Sequence, residues 1–285
     1  MVFKIHHSTR FLYEESSSDS HNELRLMPQS DDEQVCLKFS LMIKPAPKVF
    51  SYTTTGGLVH YFNILNEHDE LHIATEAVVE TRRLNPFVFL NLVEDDWWFY
   101  EKEETRQDYA EYLTPTRLVP LHPIAEEVAG DVRRNSGMSV ASFLIALTRE
   151  LNNILIYEPG HTHVHTTLDE MLRDYKGVCQ DFAHMMLAVC RSQGIPARYV
   201  SGYVFTQSDQ TMRAEQATHA WVECLMPGGI WRGFDPTNNL LVNEYYVKVF
   251  TGRDYSDAAP TKGIYRGGGS SPVPRVSVDV EMLYR

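Results

Sequence analysis

Hydrophobic and polar residues alternate along the first part of the chain, up to about Thr114. Four segments there are rich in β-branched and aromatic residues and are separated by turn-forming stretches such as PQSDDE and NEHDE, a pattern typical of strands. The segments are KIHHSTRFLYEE, QVCLKFSLMIK, GGLVHYFNIL and LHIATEAVVETR. The pattern therefore predicts a mostly antiparallel sheet or sandwich for this region.

The periodicity becomes helical after the proline-punctuated passage LTPTRLVPLHP, which indicates a domain boundary. The prediction is a β-rich accessory domain over residues 1–114 and a second domain over residues 115–285. Within the second domain, Ser139 is a candidate N-cap, and apolar residues at i, i+3, i+4, i+7 and i+11 predict a helix after it. These apolar residues are Val140, Phe143, Leu144, Leu147 and Leu151.

A second helix is predicted from Cys179 to Gln193, because Gly194 followed by Ile-Pro is a strong stop signal. Three segments with a period of two follow it, ARYVSGYV, THAWVECL and IWRGFD. The last two predict a hairpin across a PGG turn, and a polar loop from Thr206 to Thr218 precedes them. The tail contains YRGGGSSPVP, which has the composition of a loop or linker and lacks the spacing of a phosphate-binding loop.

Composition narrows the class of protein. The chain of 285 residues is 43% hydrophobic, enough apolar surface for a sizeable core. It contains neither a signal-peptide-like start nor a run of about 18 apolar residues, so we expect a soluble cytoplasmic protein. A net charge of −12, spread in short acidic clusters, argues against nucleic acid or an anionic membrane as a partner.

Four cysteines are too few and too scattered for a disulfide framework or a CxxC metal site. They are Cys36, Cys179, Cys190 and Cys224. Cys179 and Cys190 would lie roughly 16 Å apart on one helix, too far for a disulfide. Cys190 lies on an apolar stripe and is interpreted as a core residue, and Cys224 has the opposite strand parity to His219 and is interpreted as structural.

Cys179 has the setting of a nucleophile. Gly177 before it permits close backbone approach, and the free N–H groups of the first helical turn raise the local positive potential. A helix terminus contributes only ~0.3–1 kcal/mol, whereas about 2.7 kcal/mol is needed to make a thiol of ordinary pKa mostly thiolate at pH 7. A reactive cysteine at this position therefore requires a histidine.

The predicted hairpin selects one histidine by geometry. If the positions of opposed residues sum to 454, His219 lies directly opposite Asp235, and if they sum to 456 it is a diagonal neighbour. In both registers the two side chains share a face of the sheet and can hydrogen-bond. A thiol, an imidazole and a carboxylate would then form a Cys-His-Asp triad. In such a triad the imidazole activates the sulfur, and the carboxylate fixes the tautomer of the imidazole.

These motifs resemble the core of the transglutaminase-like superfamily of papain-fold thiol enzymes. The resemblance is carried by GVCQDFAHMMLAVCRSQGIPARYVSGY, THAWVE and WRGFDPTNN. The stretch KIHHSTRFLYEE, followed by HNELRLMP, resembles the β-rich N-terminal region of bacterial members. The resemblance implies an α+β fold, in which a papain-like catalytic domain, with its Cys-bearing helix packed on an antiparallel sheet, follows the β-rich domain.

The resemblance also implies roles for the three residues that the geometry selects. Cys179 corresponds to the nucleophile, His219 to the general base and Asp235 to the orienting acid, while the second donor of the oxyanion hole is not matched to any residue. The predicted function is hydrolysis of a peptide or amide substrate through a thioester, without a cofactor. Two alternatives stay open: a transglutaminase, if a lysine amine intercepts the thioester, and a non-catalytic binding module that retains the fold. Neither the substrate's identity nor the oligomeric state follows from the sequence.

The motif HTHVH offers a different chemistry. On a strand, His161, His163 and His165 would share one face and could bind zinc or copper. No nearby cysteine or carboxylate is positioned as a fourth ligand, so a polar loop leading into the helix is favoured and no metal is predicted. His184, about 140° round the helix from Cys179, is interpreted as structural.

Overall fold

The structure is a computed structural model that describes residues 1–83, 85–87, 97–135, 139–206, 218–270 and 272–285. The strands are β1 (Val2–Leu24), β2 (Gln34–Lys44), β3 (Val49–Thr54), β4 (Gly57–Ile64), β5 (His68–Thr81), β6 (Ile156–Tyr157), β7 (Lys176–Gly177), β8 (Ala197–Val204), β9 (His219–Met226), β10 (Ile230–Asp235), β11 (Leu240–Leu241), β12 (Tyr246–Gly252), β13 (Thr261–Gly267) and β14 (Arg275–Tyr284). The helices are α1 (Glu103–Asp108), α2 (Ala110–Leu113), α3 (Pro123–Asn135), α4 (Val140–Ile154), α5 (Leu168–Met171), α6 (Cys179–Ser192) and α7 (Tyr255–Ala258). None of the helices within the described ranges is long and apolar enough to cross a membrane.

The N-terminal region forms the predicted antiparallel sheet, with strand order β2-β5-β1-β4-β3. The 23-residue strand β1 runs through its centre. Phe3, Ile5 and His7 point into the core, because successive side chains of a strand lie on opposite faces. β3 was not predicted, and each of its residues is exposed, so it lacks the alternation that marks a strand in a sequence.

Two strands from the end of the sequence complete the same sheet. β14 pairs antiparallel with the first half of β1, with Val278 opposite His7, and β13 pairs with the second half, with Ile264 opposite His21. The predicted loop YRGGGSSPVP therefore begins inside β13 and leads into β14. The division at residues 114 and 115 stays a prediction, although the sheet of the first region includes residues 261–284.

The second sheet carries the candidate site. Its order is β11-β10-β9-β8-β12, and α6 packs against β8 and β9 while α3 and α4 pack against α6. Every residue of β9 is buried. Of the predicted loop from Thr206 to Thr218, residues 207–217 lie outside the described residues. The predicted α+β class, with the Cys-bearing helix on an antiparallel sheet, is confirmed.

The ends of the helices follow from local residues. The Ser139 hydroxyl accepts a hydrogen bond from the backbone N–H of Ser142 at 3.2 Å, and the predicted apolar face of α4 is buried. α6 ends at Ser192, one residue before the predicted end at Gln193. Gly194 then adopts a φ of +71°, a left-handed conformation that glycine adopts without strain.

A buried ionic cluster joins the second sheet to the N-terminal region. Glu223 of THAWVE lies 2.6 Å from Arg198 and 3.0 Å from Lys248, and Lys248 in turn lies 2.8 Å from Asp31. Burial raises the pKa of Glu223, but the charges of Lys248 and Arg198 outweigh it and lower the pKa to about 2. This glutamate is therefore an ionised structural residue that joins β8, β9 and β12 of the second sheet, while Lys248 links the cluster to Asp31 of the N-terminal region.

Candidate active site

Cys179 lies at the start of α6, where a carboxylate fixes the backbone. Asp181 accepts hydrogen bonds from the backbone N–H of Val178 at 2.8 Å and from the hydroxyl of Thr162 at 2.6 Å. A Cβ on Gly177 would lie 2.5 Å from this carboxylate, so the close approach requires glycine. The thiol is partly exposed at the helix N-terminus, where backbone N–H groups lack intrahelical partners.

His219 and Asp235 are joined by a buried hydrogen bond, with Nε2 of the imidazole 2.8 Å from Oδ2 of the carboxylate. The β9–β10 hairpin pairs Phe234 with Val222, so opposed positions sum to 456. This is the second of the two predicted registers, and it makes His219 a diagonal neighbour of Asp235.

Asp235 is fully buried and saturated with donors. One carboxylate oxygen accepts the backbone N–H groups of Thr237 at 2.9 Å and Asn238 at 3.2 Å. The other accepts the Asn238 amide at 2.7 Å and the Tyr246 hydroxyl at 2.8 Å, in addition to His219. Burial raises the pKa of Asp235, but His219 and these hydrogen bonds outweigh it and hold the pKa below its usual range. The group is therefore a fixed anion behind the imidazole.

The imidazole is held in its charged form. Burial lowers the pKa of His219, yet the charge and hydrogen bond of Asp235 and a hydrogen bond with Cys179 raise it from 6.5 to about 10. Because Asp235 occupies Nε2, the nitrogen left for the thiol is Nδ1. A protonated imidazole stabilises a neighbouring thiolate, so this arrangement can supply a sulfur nucleophile and move a proton.

The predicted site residues come together at one cavity of about 240 Å³. Cys179 and His219 line it, and Asp235 lies behind His219. Further walls are formed by side chains of β8, of the segment before α5 and of α7, among them Tyr199, Val164 and Tyr255. The cavity is large enough for the atoms around a single amide bond but not for a long peptide.

Tyr199 is a residue of this cavity that the sequence analysis did not select. It is 2% exposed and lies opposite Val222, on the sheet face that packs against α6. Burial and then the charge of Cys179 raise the pKa of Tyr199 well above its usual value, and both residues line the same cavity. Strand parity alone could have placed this side chain on the same face as the Cys-bearing helix.

The other cysteines have different surroundings. Cys190 and Cys224 are buried with their sulfur atoms 3.7 Å apart, under α6 and within the core. Cys36 is partly buried on β2, and burial raises its pKa. Among the four thiols, Cys179 is the one that lines the cavity with His219.

His184 supports the site from behind. It is buried on α6, and its Nε2 accepts a hydrogen bond from the backbone N–H of Tyr255 at 3.2 Å. Burial lowers the pKa of His184 to about 4, so the imidazole is neutral. The histidine thus holds the segment that carries Tyr255 against α6, the helix on which Cys179 lies. This agrees with a structural role.

The three histidines of HTHVH do not share one strand face, because the segment forms turns and bends. His161 lies 3.6 Å from Glu158 and 3.4 Å from Asp174, whereas the rings of His163 and His165 are 6.3 Å apart. Across the ranges that the structure describes, no group of three His, Cys, Asp or Glu side chains is placed to hold a metal ion.

Known proteins resemble this chain over both of its regions. Residues 126–236 match the transglutaminase-like superfamily, and residues 3–80 match the bacterial transglutaminase-like N-terminal region. An uncharacterised protein of Mycobacterium leprae is 35% identical over 283 residues, which are 98% of this chain and 98% of that protein. A protein-glutamine gamma-glutamyltransferase of Pseudomonas aeruginosa is 29% identical over 127 residues, which are 42% of this chain and 19% of that enzyme.

A solved structure from Cytophaga hutchinsonii, called a "Putative Cysteine Protease", has the same fold, with a TM-score of 0.73 and 24% identity over 100% of this chain and 91% of that one. The fold and the site thus define a protein built on a transglutaminase-like core. The chain belongs to the transglutaminase-like superfamily and carries the bacterial transglutaminase-like N-terminal region.

Proposed function

We propose that the protein is a thiol-dependent hydrolase of amide or peptide bonds. The observation that supports this most directly is the buried hydrogen bond between His219 and Asp235 beside the thiol of Cys179. A charged imidazole next to a sulfur at a helix N-terminus is the arrangement that activates a cysteine nucleophile.

In the first half of the reaction, Cys179 sulfur attacks the carbonyl carbon of the substrate amide. The thiol proton is by then on His219, and this imidazolium donates it to the leaving nitrogen as the carbon–nitrogen bond breaks. An amine leaves and a thioester remains on the sulfur. Asp235 keeps its charge throughout and holds the imidazole in position through Nε2.

In the second half, water resolves the thioester. His219, now neutral, removes a proton from the water as its oxygen attacks the carbonyl carbon. The carbon–sulfur bond then breaks, the acid product leaves, and the thiolate and imidazolium are restored together. Both halves use the same three side chains, and His219 is the proton donor in the first half and the proton acceptor in the second.

Both halves pass through a tetrahedral oxyanion that needs two donors. The backbone N–H of Cys179 is one, since it belongs to the first turn of α6. The Tyr199 hydroxyl is our candidate for the second, because Tyr199 lines the same cavity as Cys179. A tyrosine hydroxyl is protonated at neutral pH and can donate, and burial followed by the charge of Cys179 raises the pKa of Tyr199 further above its usual value.

A transglutaminase is the second candidate, because a relative over 42% of this chain is a protein-glutamine gamma-glutamyltransferase. The two reactions share the thioester and differ in whether water or an amine resolves it. We favour water because it is always present, whereas an amine acceptor needs a groove that delivers it and excludes water. A non-catalytic binding module is disfavoured, since Cys179, His219 and Asp235 are all retained.

Mass spectrometry of the products tests the proposal. The protein is incubated with a glutamine-containing peptide mixture and a primary amine at millimolar concentration, with Cys179→Ala as the control. We expect free acid or cleaved peptide as the main product and amine adduct as a minor one. Adduct as the main product would favour the transglutaminase, and no thiol-dependent product at all would favour the binding module.

The cytoplasmic location and the absence of nucleic-acid and membrane partners stay predictions from the sequence. Fractionation of cells that express the protein tests the location, and co-sedimentation with anionic vesicles or nucleic acid tests the partners.

A further inference from the structure

A second and larger cavity adjoins the one that holds Cys179. Its volume is about 430 Å³, against about 240 Å³ for the first, and Val164 and Tyr255 line both. This size falls within the ~300–1,000 Å³ of pockets that hold small molecules or side chains. The two cavities are therefore neighbours that share part of their walls, so one substrate can enter both.

The inner wall of this cavity is apolar and aromatic. Phe11 and Tyr13 of β1 and Tyr265 of β13 contribute to it, and the rings of Tyr13 and Tyr265 meet edge to face at 5.1 Å. The N-terminal sheet, including one strand from the end of the sequence, thus forms a wall of a cavity beside the candidate site.

The charged side chains that line the cavity have one sign. Arg117 and Lys262 are among its lining residues, while no Asp or Glu is present among the described residues that line it. The chain as a whole has 38 acidic residues against 26 Lys and Arg. The cavity lining therefore differs from the chain as a whole, in which acidic residues outnumber basic ones.

The two permanent cations are available to a ligand. Arg117 and Lys262 are exposed, and within the described part of the chain neither forms an ion pair. The charge of Lys262 contributes to lowering the pKa values of Glu23 and Asp257. Each of these carboxylates already forms an ion pair with an arginine, Glu23 with Arg25 and Asp257 with Arg253. An incoming carboxylate would not have to displace a carboxylate of the protein.

We propose that this second cavity binds a carboxylate-bearing segment of the substrate beside the scissile amide, which makes the substrate class an acidic peptide. The inference rests on the proposed function of Cys179. The carboxylate, from an Asp or Glu side chain or from a free C-terminus, pairs with Arg117 and Lys262, and the adjoining residue packs on the aromatic wall. The same cations repel the ammonium group of a lysine acceptor, which agrees with water as the resolving nucleophile.

Paired peptides test the inference in turnover. Two internally quenched peptide libraries are identical except that Glu in one is Gln in the other, and a second pair differs in a free or amidated C-terminus. We expect kcat/KM to be about tenfold higher for the acidic member of the preferred pair, mainly through KM, and the ratio to shrink as salt is raised. The two types of pair distinguish a side-chain carboxylate from a terminal one.

The double variant Arg117→Gln with Lys262→Gln should reduce this ratio to about twofold or less. Arg266→Gln is the matched control: it removes the same type of charge from the same strand, β13, at a side chain that is 82% exposed and does not line the cavity. We expect the control to keep the wild-type ratio. Thermal unfolding of each variant checks that it is folded.

Binding measured without turnover separates the two proposals. Cys179→Ala, with and without the double substitution, is titrated with the Glu and Gln peptides by calorimetry. Preferential binding of acidic peptides that needs Arg117 and Lys262, with no cleavage by the wild type, would support the cavity and overturn the hydrolase. Cleavage without preference for a carboxylate, or a preference that the double variant keeps, would overturn the cavity and leave the hydrolase standing.

Discussion

Replacing Asp235 by asparagine isolates the electrostatic part of the site, because the side chain keeps its shape and loses its charge. The oxygen facing the backbone can still accept from Thr237 and Asn238. The other oxygen becomes an NH₂ group that faces three former donors, of which the Tyr246 hydroxyl and a neutral His219 can accept instead, whereas the Asn238 amide cannot. One buried donor is then left without an acceptor, so we expect the protein to lose about 1–3 kcal/mol of stability but to stay folded.

The larger effect is on the imidazole. The pKa of His219 is raised from 6.5 to about 10 against the opposing effect of burial, a net preference for the charged form of about 5 kcal/mol. Without the carboxylate charge, burial dominates, and we expect the pKa of His219 to fall to its ordinary value or below. A thiol of ordinary pKa is only about 1% thiolate at pH 6.5, so loss of the imidazolium can slow a thiolate reaction by up to about 100-fold.

Alkylation by limiting iodoacetamide measures this without knowledge of the substrate. At pH 6.5, Asp235→Asn should slow alkylation of Cys179 by about tenfold to 100-fold, and the two rates should converge near pH 9.5, where ordinary thiols ionise unaided. Tyr246→Phe is the control, since it removes one hydrogen bond to the same oxygen but keeps the charge, and its effect should be much smaller. Equal rates for wild type and a folded Asp235→Asn at pH 6.5 would refute the reasoning.

Four further outcomes are expected. At neutral pH, Cys179 should alkylate well ahead of the other three cysteines, and equal rates at all four would contradict its activation. Cys179→Ala and its double variant with His219→Ala should lose nearly the same activity, whereas additive losses would mean independent roles. Tyr199→Phe should lower kcat about 100-fold with little change in KM, and a change in KM alone would make it a binding residue. Glu223→Gln should cost about 3 kcal/mol of stability at pH 7; because the pKa of Glu223 is lowered from 4.5 to about 2, this difference should be present above pH 4.5 and vanish as the pH falls through 2 in thermal unfolding.

Features determined by neighbouring residues could be predicted from the sequence. The end of α6 follows from Gly194, within one residue of the structure. The face shared by His219 and Asp235 follows from strand parity, but parity left two registers open. Ile230 pairs with Met226, so the turn contains the three residues of PGG, and this choice of turn selects the diagonal register.

Features determined by distant residues could not be predicted. Nothing near β13 or β14 indicates that their partner is β1, more than 230 residues earlier in the sequence. Glu223 lies within a quoted motif, yet its burial depends on Lys248 and Arg198 from two other strands. Tyr199 could have been assigned to a face of the sheet, but its closeness to Cys179 depends on how α6 crosses that face.

The pairing of β1 with β13 and β14 also affects the order of events during synthesis. β1 lies more than 230 residues before β13 and β14 in the chain, so it leaves the ribosome well before them. A nascent chain can therefore form α6 and the β9–β10 hairpin, with the thiol and imidazole, before Lys262 and Tyr265 of β13 have been released. Domains tend to fold as units during translation, and here one wall of the larger cavity is added after the helix and hairpin that carry the thiol and the imidazole. Assembly of the larger cavity can therefore finish only after β13 has been synthesised.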